Sequence, residues 1–261
     1  MLSRAAWIDG RGIAVKSVTV LPGNTEKGLS SIHGALVLFE DQTGTVQAVI
    51  DSGLVTKWKT AGDSLLGARL LACKGSQRLL ILGAGNVARS LVAAYRAEFA
   101  GLQVTIWNRT QARAEALARE VGADVAADLQ AAVAQADIIS CATMSRAPVL
   151  QGAWLRPGQH VDLIGAFTSE MREADDAALQ RSRIFVDAFE TTLDHIGELK
   201  DPLARGVIGR KDVLADFHDL VAGRAGRQSD QDITLFKNGG GAHLDLMTGG
   251  YILRAWRAAQ V

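Results

Sequence analysis

The chain has 261 residues, room for one large domain or two small ones, and its 48% hydrophobic and 21% charged content is that of a globular protein. Its 28 basic residues offset 28 acidic ones, which gives no electrostatic reason to expect nucleic acid or an acidic membrane as a partner. No apolar run reaches the roughly 18 residues of a membrane span, residues 1–9 lack the basic and apolar regions of a secretory signal, and Cys73 and Cys141, each among apolar neighbours, read as buried structural thiols in a reducing cytoplasm.

In chain order, 14–21, 35–40 and 47–50 read as strands, with Glu40-Asp41-Gln42-Thr43-Gly44 as a turn between two of them. A long helix over 54–72 follows. From Arg78 the rhythm becomes that of a parallel α/β sheet: an unbroken apolar strand at 79–82, a helix over 86–99, a strand at 104–107 and an alanine-rich helix over 111–121. A short strand near 124–125, a helix over 129–136, strands at 138–141 and 161–164, a helix over 170–180 and a strand at 184–186 continue it. Strands with helical crossovers predict a doubly wound, Rossmann-type sheet. A strand at 233–236, the run Gly239-Gly240-Gly241 and a helix over 244–258 close the chain. The two terminal pieces are each too small for a core. They are expected to join as one discontinuous α+β domain, 1–71 with 241–261, beside a dinucleotide-binding domain over 72–240.

Gly83-Ala84-Gly85-Asn86-Val87-Ala88 fits G-x-G-x-x-A directly after a buried strand and at the mouth of a helix. Gly83 permits the tight turn, and Gly85 lets the backbone approach a pyrophosphate seated with Asn86 and Val87 on the helix N-terminus. Such turns also arise for packing alone. Here strand, helix and next strand follow at the expected distances, which favours the dinucleotide reading.

The end of the next strand discriminates between coenzymes. An NAD site puts an acid there, about 20 residues past the glycines, to accept from the ribose 2′-hydroxyl. This chain has Asn108-Arg109-Thr110, with Arg113 one helical turn on. Arginine can pair with a 2′-phosphate that an acid would repel, so NADP(H) is expected, with NAD(H) as the alternative. The plainer reading of Arg109 and Arg113 is a solvated helix start.

These motifs resemble the ornithine cyclodeaminase/mu-crystallin family over essentially the whole chain. The resemblance rests on Gly12-Ile13-Ala14-Val15-Lys16-Ser17-Val18, Lys59-Thr60-Ala61, the glycine turn and Asn108-Arg109-Thr110. It continues through Cys141-Ala142-Thr143, Gly165-Ala166-Phe167-Thr168 with Met171-Arg172-Glu173, and Thr234-Leu235-Phe236-Lys237-Asn238-Gly239. It implies a homodimer whose outer pieces form the substrate and dimer domain. Lys16 resembles the lysine that meets the substrate carboxylate, and Lys59 stands where many members have an arginine touching substrate and cofactor. Thr143 resembles a residue beside the nicotinamide, and Asn238 and Gly239 the segment that closes over it. Asp245 matches an acidic position at the start of the last helix.

The bland readings stand beside these: a solvated strand lysine for Lys16, a strand cap for the glycine run, a dipole-favoured helix acid for Asp245. The chain departs from the family pattern twice. Family chains usually carry a further N-terminal stretch with another substrate-binding arginine. Cyclodeaminases also have an aspartate where this chain has Phe167, which cannot move a proton.

The expected activity is therefore NADPH-dependent reduction of a cyclic imino acid to proline or pipecolate, with Lys16 and Lys59 holding the carboxylate. Ornithine cyclodeamination and amino-acid dehydrogenation are neighbouring alternatives, and a non-catalytic NADP(H)-binding protein is one of another class. His33, His160, His195, His218 and His243 show no metal-ligand spacing, so no metal is expected.

Overall fold

The computed structural model describes residues 1–260. The first part of the chain forms β1 (Leu2–Ile8), β2 (Gly12–Val20), β3 (Ile32–Phe39), β4 (Val46–Asp51) and α1 (Ser52–Leu71). Alternation follows with β5 (Arg78–Leu82), α2 (Asn86–Glu98), β6 (Gln103–Trp107), α3 (Gln111–Val121), β7 (Asp124–Val125), α4 (Leu129–Gln135), β8 (Ile138–Cys141) and β9 (His160–Leu163). The remainder is α5 (Asp176–Gln180), β10 (Arg183–Val186), α6 (Phe189–Thr192), α7 (Gly197–Ala204), β11 (Val213–Ala215), α8 (Phe217–Val221), β12 (Thr234–Lys237) and α9 (Ala242–Ala258). No helix among the described residues is long and apolar enough to cross a membrane.

Contacts divide the chain into two units, Met1–Thr60 with Gly240–Val261, and Ala61–Gly239. In the first, β1 to β4 form an antiparallel sheet in sequence order. Ala14, Leu36, Leu38 and Ile50 bury one face of it together with Leu246 and Leu253 of α9. A Cβ on Gly249 of α9 would come within 2.3 Å of Leu36 Cδ2, so the missing side chain is what brings helix and sheet together. β1 is absent from the sequence reading because Leu2-Ser3-Arg4-Ala5-Ala6-Trp7-Ile8 carries a weak apolar pattern. It is fixed by pairing with β2, from Leu2 opposite Val18 to Ile8 opposite Gly12.

The second unit holds an eight-stranded sheet in the order β11-β10-β12-β9-β8-β5-β6-β7, with its pairings parallel. The chain runs outward from β5 through β6 to β7, then returns to place β8 and β9 on the other side. That reversal makes β5 and β8 the topological switch point, and their carboxyl ends frame the crevice where such sheets bind ligands. β8, β9 and β12 are buried throughout, as strands covered on both faces must be.

Several expectations need correction. The helix expected over 170–180 begins only at Asp176, because Asp175 caps it by accepting from the Ala178 N–H at 2.8 Å, while Glu173 is drawn inward. The contact division falls at Thr60/Ala61, inside α1, whereas the sequence suggests a domain boundary at 71/72. Ala61 and Ala68 pack with Leu79 and Ile81, and Leu71 with Phe185 and Phe236, so this half of α1 belongs to the second core. β11, α6 and α8 have no counterpart in the sequence reading, being too short to show a period, and α7 has none because it contains Pro202, a residue that reads as a helix breaker. Cys141 is buried as expected, but Cys73 is partly exposed, its thiol donating to the Gly158 carbonyl at 3.2 Å.

Candidate functional site

Leu79 to Leu82 form a strand because they are apolar and buried; the glycines that follow turn the chain into α2. Gly83 has φ +121°, and a Cβ there would stand 2.5 Å from the Ala142 carbonyl oxygen, so only glycine serves. A Cβ on Gly85 would meet nothing within 4 Å. Gly85 is the N-cap of α2 and gives it no side-chain cap, which leaves the first N–H groups of the helix beneath open space. A diphosphate fits that combination of room, unengaged donors and positive helix end. Asn86 and Val87 open the helix; the Asn86 side chain accepts from Arg89 Nη1 at 2.9 Å, and Arg89 in turn pairs with Glu120 at 2.5 Å.

At the end of β6, Asn108 Nδ2 donates to the Thr110 carbonyl at 2.9 Å, tightening the turn into α3. Thr110 is the N-cap of α3, and the first turn of that helix contains no acid. Arg109 and Arg113 are exposed, and neither has a carboxylate partner among the described residues. Two unneutralised guanidinium groups beside a helix N-terminus form a cationic corner suited to an added phosphate.

Across the switch point, Thr143 follows β8 and Gly165-Ala166 follow β9. Both segments converge on Glu173, which is wholly buried. One carboxylate oxygen accepts from the Thr143 N–H at 2.7 Å and its hydroxyl at 2.8 Å; the other accepts from the Gly165 N–H at 2.7 Å and the Ala166 N–H at 3.1 Å. Burial pushes the Glu173 pKa up to about 7, with Lys237 opposing and Glu198 adding to the rise. Lys237, also buried, donates to the Leu163 and Ala166 carbonyls at 2.8 Å each. Asn238 is buried too, donating to Asp162 at 2.7 Å and Ser64 at 3.3 Å. Burial raises the Asp162 pKa to about 6 against the lowering effect of hydrogen bonds from Ser140, Ser64 and Asn238. Gly239 is a packing glycine: a Cβ would meet Thr191 Oγ1 and Thr192 Cγ2 at 2.8 Å.

In the first unit, β2 places Lys16 and α1 places Lys59 against Asp245 in the first turn of α9. Asp245 Oδ1 receives Lys16 Nζ at 2.7 Å and Lys59 Nζ at 2.8 Å, with only 2% of the Asp245 side chain exposed. Lys16 is thus not a solvated strand lysine, and Asp245 is more than a dipole-favoured helix acid. Burial lowers the Lys59 pKa and the charge of Lys16 adds to this, while Asp245 opposes it. Two ammonium groups and one carboxylate leave one positive charge in surroundings nearly closed to water, which is what a single carboxylate ligand matches.

No group of His, Cys, Asp and Glu suited to a metal is found among the described residues, which include all five histidines. Glu173 and Lys237 lie inside the family-like motifs without a role legible in the sequence, and Asp162 and Glu198 have none there either. The available signal was a charged residue inside an unbroken apolar strand, as in Val161-Asp162-Leu163 and Leu235-Phe236-Lys237.

The sequence profile of the ornithine cyclodeaminase/mu-crystallin family matches residues 7–260. A Δ1-pyrroline-2-carboxylate reductase of Paracoccus denitrificans is 55% identical over 261 residues, spanning 97% of this chain and 83% of that protein. The ketimine reductase mu-crystallin of Mus musculus is 30% identical, over 95% of this chain and 77% of its own length. Among solved structures, the Thermococcus litoralis Δ1-pyrroline-2-carboxylate reductase in complex with NADH and L-proline superimposes with a TM-score of 0.87. It is 27% identical, and the match covers 99% of this chain and 87% of that one.

Proposed function

The chain belongs to the ornithine cyclodeaminase/mu-crystallin family, and from that premise we propose that it is an NADPH-dependent reductase of a cyclic 2-imino acid. The substrate is Δ1-pyrroline-2-carboxylate or Δ1-piperideine-2-carboxylate, and the product L-proline or L-pipecolate. The observation that carries this reading is the Lys16–Asp245–Lys59 cluster, whose single surplus positive charge suits one carboxylate. Support comes from relatives named as reductases of this substrate or of ketimines.

When bound, the nicotinamide coenzyme supplies the hydride that reduces C2 of the imine. Gly83 and Gly85 admit its diphosphate, and Arg109 and Arg113 pair with the 2′-phosphate that sets NADPH apart. Lys16 and Lys59 neutralise the substrate carboxylate, fixing the ring by its anionic end. The imine enters protonated on nitrogen by solvent, and this iminium, on taking the hydride at C2, becomes the amine product with no further proton to supply. Phe167, 46% exposed, offers no proton-transfer group, which favours imine reduction over cyclodeamination. The enzyme is proposed to act as a cytoplasmic homodimer.

The test follows NADPH absorbance with Δ1-pyrroline-2-carboxylate, Δ1-piperideine-2-carboxylate and pyruvate plus ammonia, each repeated with NADH, and follows proline formation from ornithine without added reductant. Oxidation with a cyclic imine, faster with NADPH, is the expected result. Tight NADPH binding without turnover indicates a binding protein instead, and proline from ornithine indicates a cyclodeaminase.

A further inference from the structure

We propose that Glu173 is a positioning residue: its buried carboxylate locks the segments after β8 and β9 into the arrangement that holds the nicotinamide ring for hydride transfer. This rests on the reductase reading above. The location follows from sheet order. The diphosphate site lies at the end of β5 and the ribose-phosphate corner at the end of β6. The reacting half of a dinucleotide bound there extends to the other side of the switch point, over the carboxyl ends of β8 and β9. Those ends are the segments Glu173 holds.

The hold is made of four short hydrogen bonds on one side chain, two to Thr143 and one each to Gly165 and Ala166. Gly165 is pressed against the other segment: a Cβ there would stand 2.0 Å from the Thr143 carbonyl oxygen. From the opposite side Lys237 takes the carbonyls of Leu163 and Ala166, so an anion grips the N–H groups of this segment and a cation its C=O groups. The clamp is itself anchored. Glu198 accepts from the Glu173 N–H at 2.7 Å and the Ala174 N–H at 3.0 Å, and the Glu173 carbonyl accepts from Val149 and Leu150. The Thr143 hydroxyl, having donated its proton to Glu173, presents only lone pairs elsewhere. Such a network fixes geometry to a few tenths of an ångström, the precision hydride transfer demands.

Glu173→Gln tests this, because the carboxamide must turn an NH2 toward either the Gly165 and Ala166 N–H groups or the Thr143 N–H and gives up the bonds on that side. Hydrogen exchange of the peptide containing Thr143 or of that containing Gly165 and Ala166, measured without coenzyme, is expected to accelerate about tenfold. The Kd for NADPH, read from its fluorescence, is expected to stay within about threefold, since phosphate contacts dominate it and are untouched. The emission enhancement of the bound nicotinamide falls. With Δ1-pyrroline-2-carboxylate, kcat falls about 10- to 100-fold while KM for the imino acid changes little, and the primary isotope effect from 4-deuterated NADPH grows.

Thr143→Val removes one of the four bonds and serves if Glu173→Gln does not fold; its kcat is expected to fall about three- to tenfold with the same isotope signature. Unchanged exchange and unchanged kcat in either soluble variant overturns the proposal, as does a loss of activity fully accounted for by weaker NADPH binding. If the wild type reduces no cyclic imine, the functional reading fails separately. The exchange and emission arms then decide the role of Glu173 alone.

Discussion

Lys59 Nζ ends 2.8 Å from Asp245 Oδ1, with 10% and 2% of the two side chains exposed. Lys16 reaches the same oxygen at 2.7 Å. Three charges so close and so little hydrated are stable only as a set, because an ion that loses its partner inside a protein is left with its full desolvation cost. Asp245→Asn preserves shape and removes the negative charge, which leaves two ammonium groups facing each other. We expect a loss of about 3–5 kcal/mol in urea unfolding at neutral pH. L-Proline, by returning a carboxylate to the lysines, should recover part of it. A variant whose midpoint is unchanged, and insensitive to L-proline, would show that the cluster neither stores this charge imbalance nor binds the ligand.

Gly83 and Gly85 separate a folding requirement from a binding requirement. Gly83→Ala forces a Cβ into the Ala142 carbonyl at a backbone angle that L-residues rarely adopt, so it should destabilise the protein by about 1–3 kcal/mol. Gly85→Ala meets only open space, so stability should stay within about 0.5 kcal/mol. The new methyl would occupy the proposed approach of the diphosphate, and NADPH affinity should then fall at least about tenfold. Thermal melts with and without NADPH check both. If Gly85→Ala still gains the wild-type shift on adding NADPH, the diphosphate does not sit there.

Arg109→Ala removes one of two exposed guanidinium groups that have no carboxylate partner among the described residues. A charge-assisted bond to a phosphate contributes about 1.5–3 kcal/mol, so NADPH affinity should drop about 10- to 100-fold while NADH affinity holds. Titration of both coenzymes by fluorescence gives the ratio directly. Equal losses for the two would place Arg109 away from the 2′-phosphate, and the arginines would then be a solvated helix start.

The parts of this protein readable in advance are those whose signal is local. The glycine turn, α3 and β8 are written in contiguous residues whose spacing matches their geometry, and the structure places α3 at Gln111–Val121 and β8 at Ile138–Cys141. β1 was not readable, since Arg4 and Ala6 become strand residues only through their partners Lys16 and Ala14. The role of Glu173 was hidden for a related reason. It sits in a stretch with the composition of a helix, its partner Thr143 is distant in sequence, and Thr143 and Gly165 donate mainly through the backbone, which carries no residue signature. Lys16 and Lys59 were found through family resemblance, but their common tie to Asp245 needed the three-dimensional arrangement.

Buried titratable groups give the protein a pH dependence whose parts oppose each other. His160 is wholly buried beside Thr234, its Nδ1 2.9 Å from the hydroxyl, and burial lowers its pKa to about 3, helped by the charge of Arg227. Below an unfolded-state pKa near 6.5 the unfolded chain takes up a proton that the folded protein refuses, so this histidine's share of stability is intact above that pH and erodes down to about pH 3. Asp162 and Glu173, raised to about 6 and about 7, act with the reverse sign: the folded protein binds their protons first, so acidification from those values toward the ordinary carboxylate range favours the folded state. Unfolding free energy of the wild type should therefore rise modestly between pH 7 and about pH 5, where the two carboxylates together bind more protons than the histidine refuses, then fall below about pH 4 once that gain is exhausted while the histidine loss continues. His160→Gln removes the histidine contribution and keeps a donor for Thr234. Its stability relative to wild type should improve steadily as pH drops from about 7 to about 4, by on the order of a few kcal/mol. Urea melts of both proteins across that range check it, and a difference that does not vary with pH would mean that His160 is as readily protonated folded as unfolded.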